Sequence, residues 1–387
     1  MFARLLQVAR RELGIMRKNR MYLFCMVVLP VVVTVFFTSL MSGGQPVDMP
    51  VGVVDLDNTP TTRSLVRKLD AFQSTKIVKR YAGVAEARRD MQRNRIYAFL
   101  YIPEGTTDEL LSMRQPKISF YYSTTSYTAG ALLYRDLKTV ATLGSAGVGA
   151  SLLTAKGLTE EQVMSFLQPI VVDLHTVNNP TVNYSVYLNT MLIPGCIMLF
   201  IFIVTAYSIG TELKFNSARE WLSASGNNIY VALAGKMLPQ TLTFLLIMYG
   251  YMFYVFGILH FPHPGGTGYI VLLGLLSVLS SQGFGIFVFG AVPSLRMSMS
   301  VCCLWAVLSY SLSGTAFPLS AMDSEIKAIA LLFPLRHYYM IYQLNIFNGY
   351  SLDYSWPYVA ALIIFAALPL LMTGRIKKSL LTYQYMP

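Results

Sequence analysis

Uncharged apolar runs punctuate the chain at 21–40 and, after a long mixed segment, at about 186–210, 238–259, 268–292, 297–317 and 355–374. Each has the length that roughly 20 residues need to cross about 30 Å of hydrocarbon as a helix with its backbone groups bonded internally. Six spans are therefore predicted. No charge occurs between Met237 and Leu295, yet His260–Gly268 is dense in helix breakers, so this stretch reads as a hairpin of two spans. The first run is too long for a signal-peptide core and is followed by Ser39-Leu40-Met41-Ser42 instead of a small-residue cleavage site, which makes it an uncleaved anchor.

The segment 41–185 has a different pattern. Val51–Asp57 reads as a buried strand, and Asn58-Thr59-Pro60 supplies a cap and a first-turn proline for a helix to about Phe72. Strand Lys76–Tyr81, helix Val84–Asn94, strand Tyr97–Pro103, helix Asp108–Arg114 and strand Lys117–Ser123 continue the alternation of a small α/β domain. A long helical stretch at about Ser126–Ala155 and Glu160–Gln168 then lead to Val171–His175 and back to the apolar region. Ahead of the first run, Phe2, Leu5, Leu6, Ala9, Leu13 and Met16 recur at helical spacing opposite Arg4, Arg10, Arg11, Arg17 and Lys18. They read as an amphipathic helix in the inner interface, the alternative being a frayed basic tail.

Composition agrees with the spans. Of 387 residues, 54% are apolar and 13% charged, against about 25% charged in a soluble domain. The net charge of +11 does not point to nucleic acid, because the excess flanks the apolar runs: 41–185 holds 15 basic and 13 acidic residues, and the remainder 15 against 6. Thirteen Lys and Arg flank the spans on one side, with only Lys327 and Arg336 in the short loops opposite. Both termini are thus expected in the cytoplasm and 41–185 outside. The four cysteines all lie in apolar runs, where a thiol acts as a small hydrophobe.

Several chemistries find no support. No phosphate-binding G-x-x-x-x-G-K-[ST] loop occurs, so ATP hydrolysis, if used, falls to a partner chain. Asp55 and Asp57 follow a strand without a glycine-rich loop and read as caps; His260 and His263 lack the partners of a metal site, and no metal or catalytic residue is assigned. The span interiors carry no formal charge of the kind that ion-coupled carriers place at mid-membrane; Glu212, Lys236 and Arg296 fall at cytoplasmic ends within reach of the interface.

Motifs along nearly the whole chain resemble the ABC exporter permeases of the type-2 superfamily, in the branch with a large loop after the first span. They are Val51–Pro60 followed by Ser64–Asp70, Arg95–Pro103, Asn179-Pro180 with Pro194-Gly195, Glu212-Leu213-Lys214 with Arg219–Leu222 and Gly235–Pro239, and Ser313–Pro318 with Phe333–Tyr338. One departure is Asn216-Ser217, where the family's coupling segment usually has Gly-Thr. The resemblance implies an α-helical integral membrane protein of six transmembrane helices with an inserted extracytoplasmic α/β domain. The parts are a cytoplasmic amphipathic helix (1–20), the first span (21–40), the outer domain (41–185), a five-helix membrane region (186–374) and a cytoplasmic tail (375–387). It further implies a coupling segment at 211–228, in which Glu212, Lys214, Phe215, Arg219, Glu220 and Trp221 meet the ATPase. A re-entrant hairpin at 318–340 would gate the outer mouth through Pro318, Pro334, Arg336 and His337.

The expected partners are cytoplasmic ABC ATPase subunits that bind the ATP, and a second permease copy or paralogue; a periplasmic adaptor and outer-membrane channel are compatible, nucleic acid is not. The expected location is the cytoplasmic membrane and the expected function ATP-driven export of an amphiphilic or lipophilic substrate. A transenvelope coupler that moves the outer domain without passing cargo, and a membrane-anchored sensor, stand as alternatives.

Overall fold

The computed structural model describes residues 1–112, 114–167, 179 and 182–382. The chain divides into two compact units, one formed by residues 1–42 with 176–387 and the other by 43–175.

The first unit opens with α1 (Phe2–Lys18) and α2 (Arg20–Leu40), separated at Asn19, which leaves helical geometry and caps α2 with its side chain. Pro30 donates no N–H, and the turn before it, Phe24–Val28, widens to π geometry.

The second unit contains β1 (Met49–Asp55), α3 (Pro60–Asp70), β2 (Thr75–Arg80), α4 (Val84–Gln92), β3 (Ala98–Ile102), α5 (Thr106–Leu111), β4 (Ser119–Tyr122), α6 (Tyr127–Ala155) and α7 (Glu160–Leu167). The sheet order is β2-β1-β3-β4, with β1 parallel to both neighbours and β4 antiparallel to β3. Alternation along β1 feeds two cores. Val51 and Val53 pack with Val66 and Leu69 of α3 and Leu133 and Leu137 of α6, while Val54 packs on the other face with Phe99 of β3 and Ala87 of α4. The elements match the alternation expected from sequence, with ends shifted by a few residues; the segment Val171–His175 lies outside the described residues.

The first unit resumes with α8 (Tyr184–Lys214), α9 (Ala218–Ala224), α10 (Ile229–Ile258), α11 (Thr267–Ala291), α12 (Leu295–Leu312), α13 (Ser324–Ala330), α14 (Pro334–Ile341) and α15 (Trp356–Thr382). Among the described residues, six of its helices, α2, α8, α10, α11, α12 and α15, are long and apolar enough to cross a membrane. Helices α8 and α11 are the most buried of these, α2 and α15 the least. Helix α12 stops short of its apolar run at Leu312, while three other ends run four or more residues past the runs, with α8 continuing to Lys214, α10 beginning at Ile229 and α15 reaching Thr382. Backbone hydrogen bonding carries these helices through charged residues that a hydropathy window treats as boundaries.

Candidate functional site

Charged residues at the α8–α10 junction form the most densely bonded polar group of the first unit. Helix α8 ends in the residues preceding Asn216, whose backbone is left-handed (φ 57°), and α9 follows at once. Asparagine tolerates that conformation nearly as glycine does. The next residue, Ser217, turns its hydroxyl back to donate to Glu212 Oε2 at 2.5 Å. Asn216-Ser217 therefore performs locally what a glycine and a hydroxyl residue would. Asn228 then caps α10 by accepting from Tyr230 and Val231 N–H.

Glu212 is only 2% exposed. Arg11 of α1 grips it in bidentate fashion, Nη1 to Oε1 at 2.6 Å and Nη2 to Oε2 at 3.0 Å. Lys236 of α10 donates to Glu212 Oε1 at 2.7 Å and to Glu12 Oε2 of α1 at 2.6 Å. Gln240, one turn further along α10, donates to Glu12 Oε1 at 2.9 Å, and Tyr22 of α2 donates to the same oxygen at 3.3 Å. The ammonium of Lys236 lies 4.9 Å from the centroid of the Trp221 ring, whose Nε1 donates to the carbonyl of Ala232. The Glu212 carboxylate raises the pKa of the Arg11 guanidinium, chiefly through the hydrogen bond.

Two carboxylates and two cations thus cancel inside the protein. Such a group holds together as long as every member is present, because removing one leaves another buried without a counter-charge. Around it lies an apolar core of Val8, Leu213, Trp221, Leu222, Leu233, Phe289 and Ile376, contributed by α1, α8, α9, α10, α11 and α15. At the crossing of α1 and α10 a Cβ on Gly235 would come within 2.8 Å of Val8 Cβ and 2.9 Å of the Leu5 carbonyl oxygen. Only glycine lets these two helices approach so closely.

The structure separates the residues expected in the coupling segment. Lys214, Phe215, Arg219 and Glu220 are exposed, Phe215 at 67%, and form a continuous rim around the α8–α9 turn. Glu212 and Trp221 lie beneath it, buried, and have no surface to offer a partner. Glu212 and Lys236 do not reach the interface as the sequence suggests; each is neutralised by α1. On α1 the face packed on the protein is Val8, Ala9 and Glu12, while Phe2, Leu6 and Leu13 of the apolar stripe expected in the inner interface are exposed.

Sequence reasoning passed over Glu12 and Gln240. A signal was present for the first: Glu12 is the only acid in residues 1–20 and falls on the same helical stripe as Leu5, Val8 and Ile15. For Gln240 no local signal exists.

The residues expected at the outer hairpin split in a similar way. Pro318 is exposed and precedes a single turn at Leu319–Ala321, whereas Pro334 is the buried first residue of α14. Arg336 Nη1 donates to the Ser313 carbonyl at 2.8 Å, and His337 Nε2 bonds the Leu331 carbonyl at 2.8 Å. Trp305 of α12 stacks on Phe333 with centroids 4.8 Å apart and donates to the Leu332 carbonyl. In the second unit, Asp55 and Asp57 serve as caps. Asp55 accepts from Asn58 N–H and the Thr62 hydroxyl, and Asp57 from the hydroxyls of Thr59 and Thr107 and from Thr107 N–H. The bonds from Thr107 hold the Asp57 carboxyl below the usual carboxylate range.

A family model described as ABC-2 family transporter protein matches residues 20–375. No curated protein matches the chain.

Proposed function

We propose a specific role for this chain, which belongs to the ABC-2 family of transporters and is therefore a multi-pass membrane component that works with an ABC ATPase subunit: the permease of an exporter for an amphiphilic or lipophilic substrate. Both termini and the α8–α10 junction face the cytoplasm, on the side where Lys and Arg concentrate. The 43–175 unit faces outward, and the functional assembly pairs two permease chains with two ATPase chains.

The ion cluster carries this reading. It binds α1, α8, α9 and α10 into one block at the ends of two spans, with the Lys214, Phe215, Arg219 and Glu220 rim on its surface. A push on the rim by a moving ATPase is transmitted to α8 and α10 together, because Glu212 and Lys236 cannot separate without exposing a buried charge to an apolar surround. The rim receives the force and the cluster prevents the junction from absorbing it.

The test is co-purification of the ATPase subunit with the wild-type chain and with Phe215→Ser combined with Arg219→Glu. Both positions are exposed, so the variant is expected to fold normally and to lose the ATPase or its ATP-coupled transport. A variant that retains full ATPase binding and transport removes the rim from the coupling path, and a wild-type chain that binds no ATPase overturns the permease reading.

A further inference from the structure

The α14 end of the first unit contains a buried cation with no counter-charge among the described residues. Arg336 is 8% exposed, yet among the described residues one of its five N–H donors, on Nη1, meets a protein acceptor, the Ser313 carbonyl. Among the described residues its Nε is buried without a partner, and no ion pair includes it. The adjacent His337 is 3% exposed, and while its Nε2 bonds the Leu331 carbonyl, its Nδ1 has no partner among the described residues either.

The backbone adds to the positive field. These residues occupy the first turn of α14, which contains no acid, and Phe333 provides no capping side chain. The amino end of a helix disfavours cations and favours anions. Room for the guanidinium is kept by Gly314 (φ 99°), where a Cβ would stand 2.7 Å from Arg336 Nη1. An aromatic row adjoins the charge: Phe365 lies 5.9 Å from the His337 ring, followed by Phe284, Trp305 and Phe333 with successive centroids 6.2, 5.4 and 4.8 Å apart, and of these Phe284 and Phe333 are buried while Phe365 and Trp305 are partly exposed.

We propose that Arg336, with His337 at the amino end of α14, binds the anionic head, a carboxylate, phosphate or sulfate group, of an amphiphile whose apolar part lies against Trp305 and Phe365, the partly exposed rings of the aromatic row. A guanidinium suits this because its fork matches a planar or tetrahedral oxyanion, and a dry site strengthens each charge-assisted bond. The substrate class of the exporter is then an anionic amphiphile; this step rests on the permease reading and on the hairpin lying at the outer mouth.

Trp305 provides the readout. The intact permease–ATPase complex in phosphatidylcholine nanodiscs is titrated, without ATP, with decyl phosphate, decyltrimethylammonium and inorganic phosphate while tryptophan emission is followed, and Trp305→Phe identifies the signal. Decyl phosphate is expected to shift the emission at least tenfold more tightly than decyltrimethylammonium, and Arg336→Gln to weaken it about tenfold, with Arg336→Lys between the two. A second set of nanodiscs containing phosphatidylglycerol distinguishes the source. A shift from the lipid alone identifies a bilayer headgroup, and one from decyl phosphate in plain nanodiscs a free amphiphile; both support the site. Equal binding of the cationic and anionic probes by the wild-type complex, or undiminished decyl phosphate binding by a folded Arg336→Gln complex, overturns it. So does inorganic phosphate matching decyl phosphate, since the apolar row would then contribute nothing. ATPase retention and ATP hydrolysis are measured on the same samples, so failure of anion binding is distinguished from failure of the permease reading.

Discussion

Helix α8 runs between two buried charged groups of opposite design. Tyr187 near its start bonds the carbonyl of Thr315, two residues from the Ser313 that receives Arg336, and Glu212 near its end belongs to the ion cluster. Along the helix the separation is about 37 Å. In the cluster the charges of Arg11, Glu12, Glu212 and Lys236 satisfy one another and the ionic group is closed, although Oε1 of Gln240 beside it is buried without a partner among the described residues. At α14 the cation stays open, with its Nε and the neighbouring His337 Nδ1 left without partners among the described residues. A closed group gains nothing from a ligand and loses heavily when a member is removed; an open group stands in the reverse position. Buried charge alone therefore does not identify a binding site, and its state of satisfaction does.

The largest expected effect tests the closed group. Lys236→Met leaves Glu12 and Glu212 facing each other with Arg11 as their only cation, and a loss of about 3–5 kcal/mol is expected from breaking a buried network on one side. Combining Lys236→Met with Glu12→Gln removes one charge of each sign and is expected to recover most of that loss, measured as the midpoint of thermal unfolding of the purified complex. Arg336→Met supplies the contrast: replacing an uncompensated cation by an apolar chain of similar length is expected to change stability by less than about 1 kcal/mol or to raise it. If Arg336→Met proves as damaging as Lys236→Met, the distinction between the two groups fails.

How much of this was legible in the sequence follows the range of the interactions involved. The six spans stand out because each is a local run of apolar residues, and the α/β unit because strand and helix periods alternate over short windows. Asp55 reads correctly as a cap for the same reason, with its partners Asn58 and Thr62 3 and 7 positions away, whereas two of the bonds to Asp57 come from Thr107, 50 positions away, and have no local signal. The cluster does not read this way. Arg11 and Glu212 are 201 positions apart and Glu12 and Lys236 are 224 apart, so nothing local shows that each charge near a span end has a partner waiting on α1. Without that knowledge the reasonable expectation is that Glu212 and Lys236 reach for the interface, and the structure shows the opposite. The hairpin was legible as charged and proline-bounded, but its division into an exposed first half and a buried α14 depends on packing against α12, which no pattern within 318–340 encodes.

A smaller effect probes how the closed group is delivered to the rim. Asn216 takes its left-handed conformation so that Ser217 can reach back to Glu212. Asn216→Val places a β-branched residue there, and a loss of about 1–2 kcal/mol is expected. Asn216→Gly keeps the conformation available, and a change within about 0.5 kcal/mol is expected. The pair is read by thermal unfolding together with co-purification of the ATPase. If valine and glycine behave alike, the turn does not depend on this backbone geometry and the cluster is not tied to the rim through it.

The smallest effect concerns a charge that is neither fully buried nor ionically paired. Asp57 is bonded by hydroxyls and an amide, and Thr107 holds its carboxyl below the usual carboxylate range. Because the folded pKa is depressed, the stabilisation is complete above the ordinary carboxylate pKa and fades as the pH falls through that value towards the folded one. Asp57→Asn is expected to cost about 1 kcal/mol near neutral pH, the typical worth of a helix cap, and to flatten the acid dependence. Hydrogen exchange over Thr106–Leu111 of the intact chain reports it: wild-type protection, corrected for intrinsic rates, is expected to decline on acidification, and the Asp57→Asn variant to begin lower and change less. Identical protection in both proteins across the titration would mean that the Thr107 contacts do not hold α5. The rim and the ion cluster belong to the other compact unit and draw nothing from these contacts, so the same substitution is expected to leave rim-dependent ATPase binding unchanged while α5 loosens.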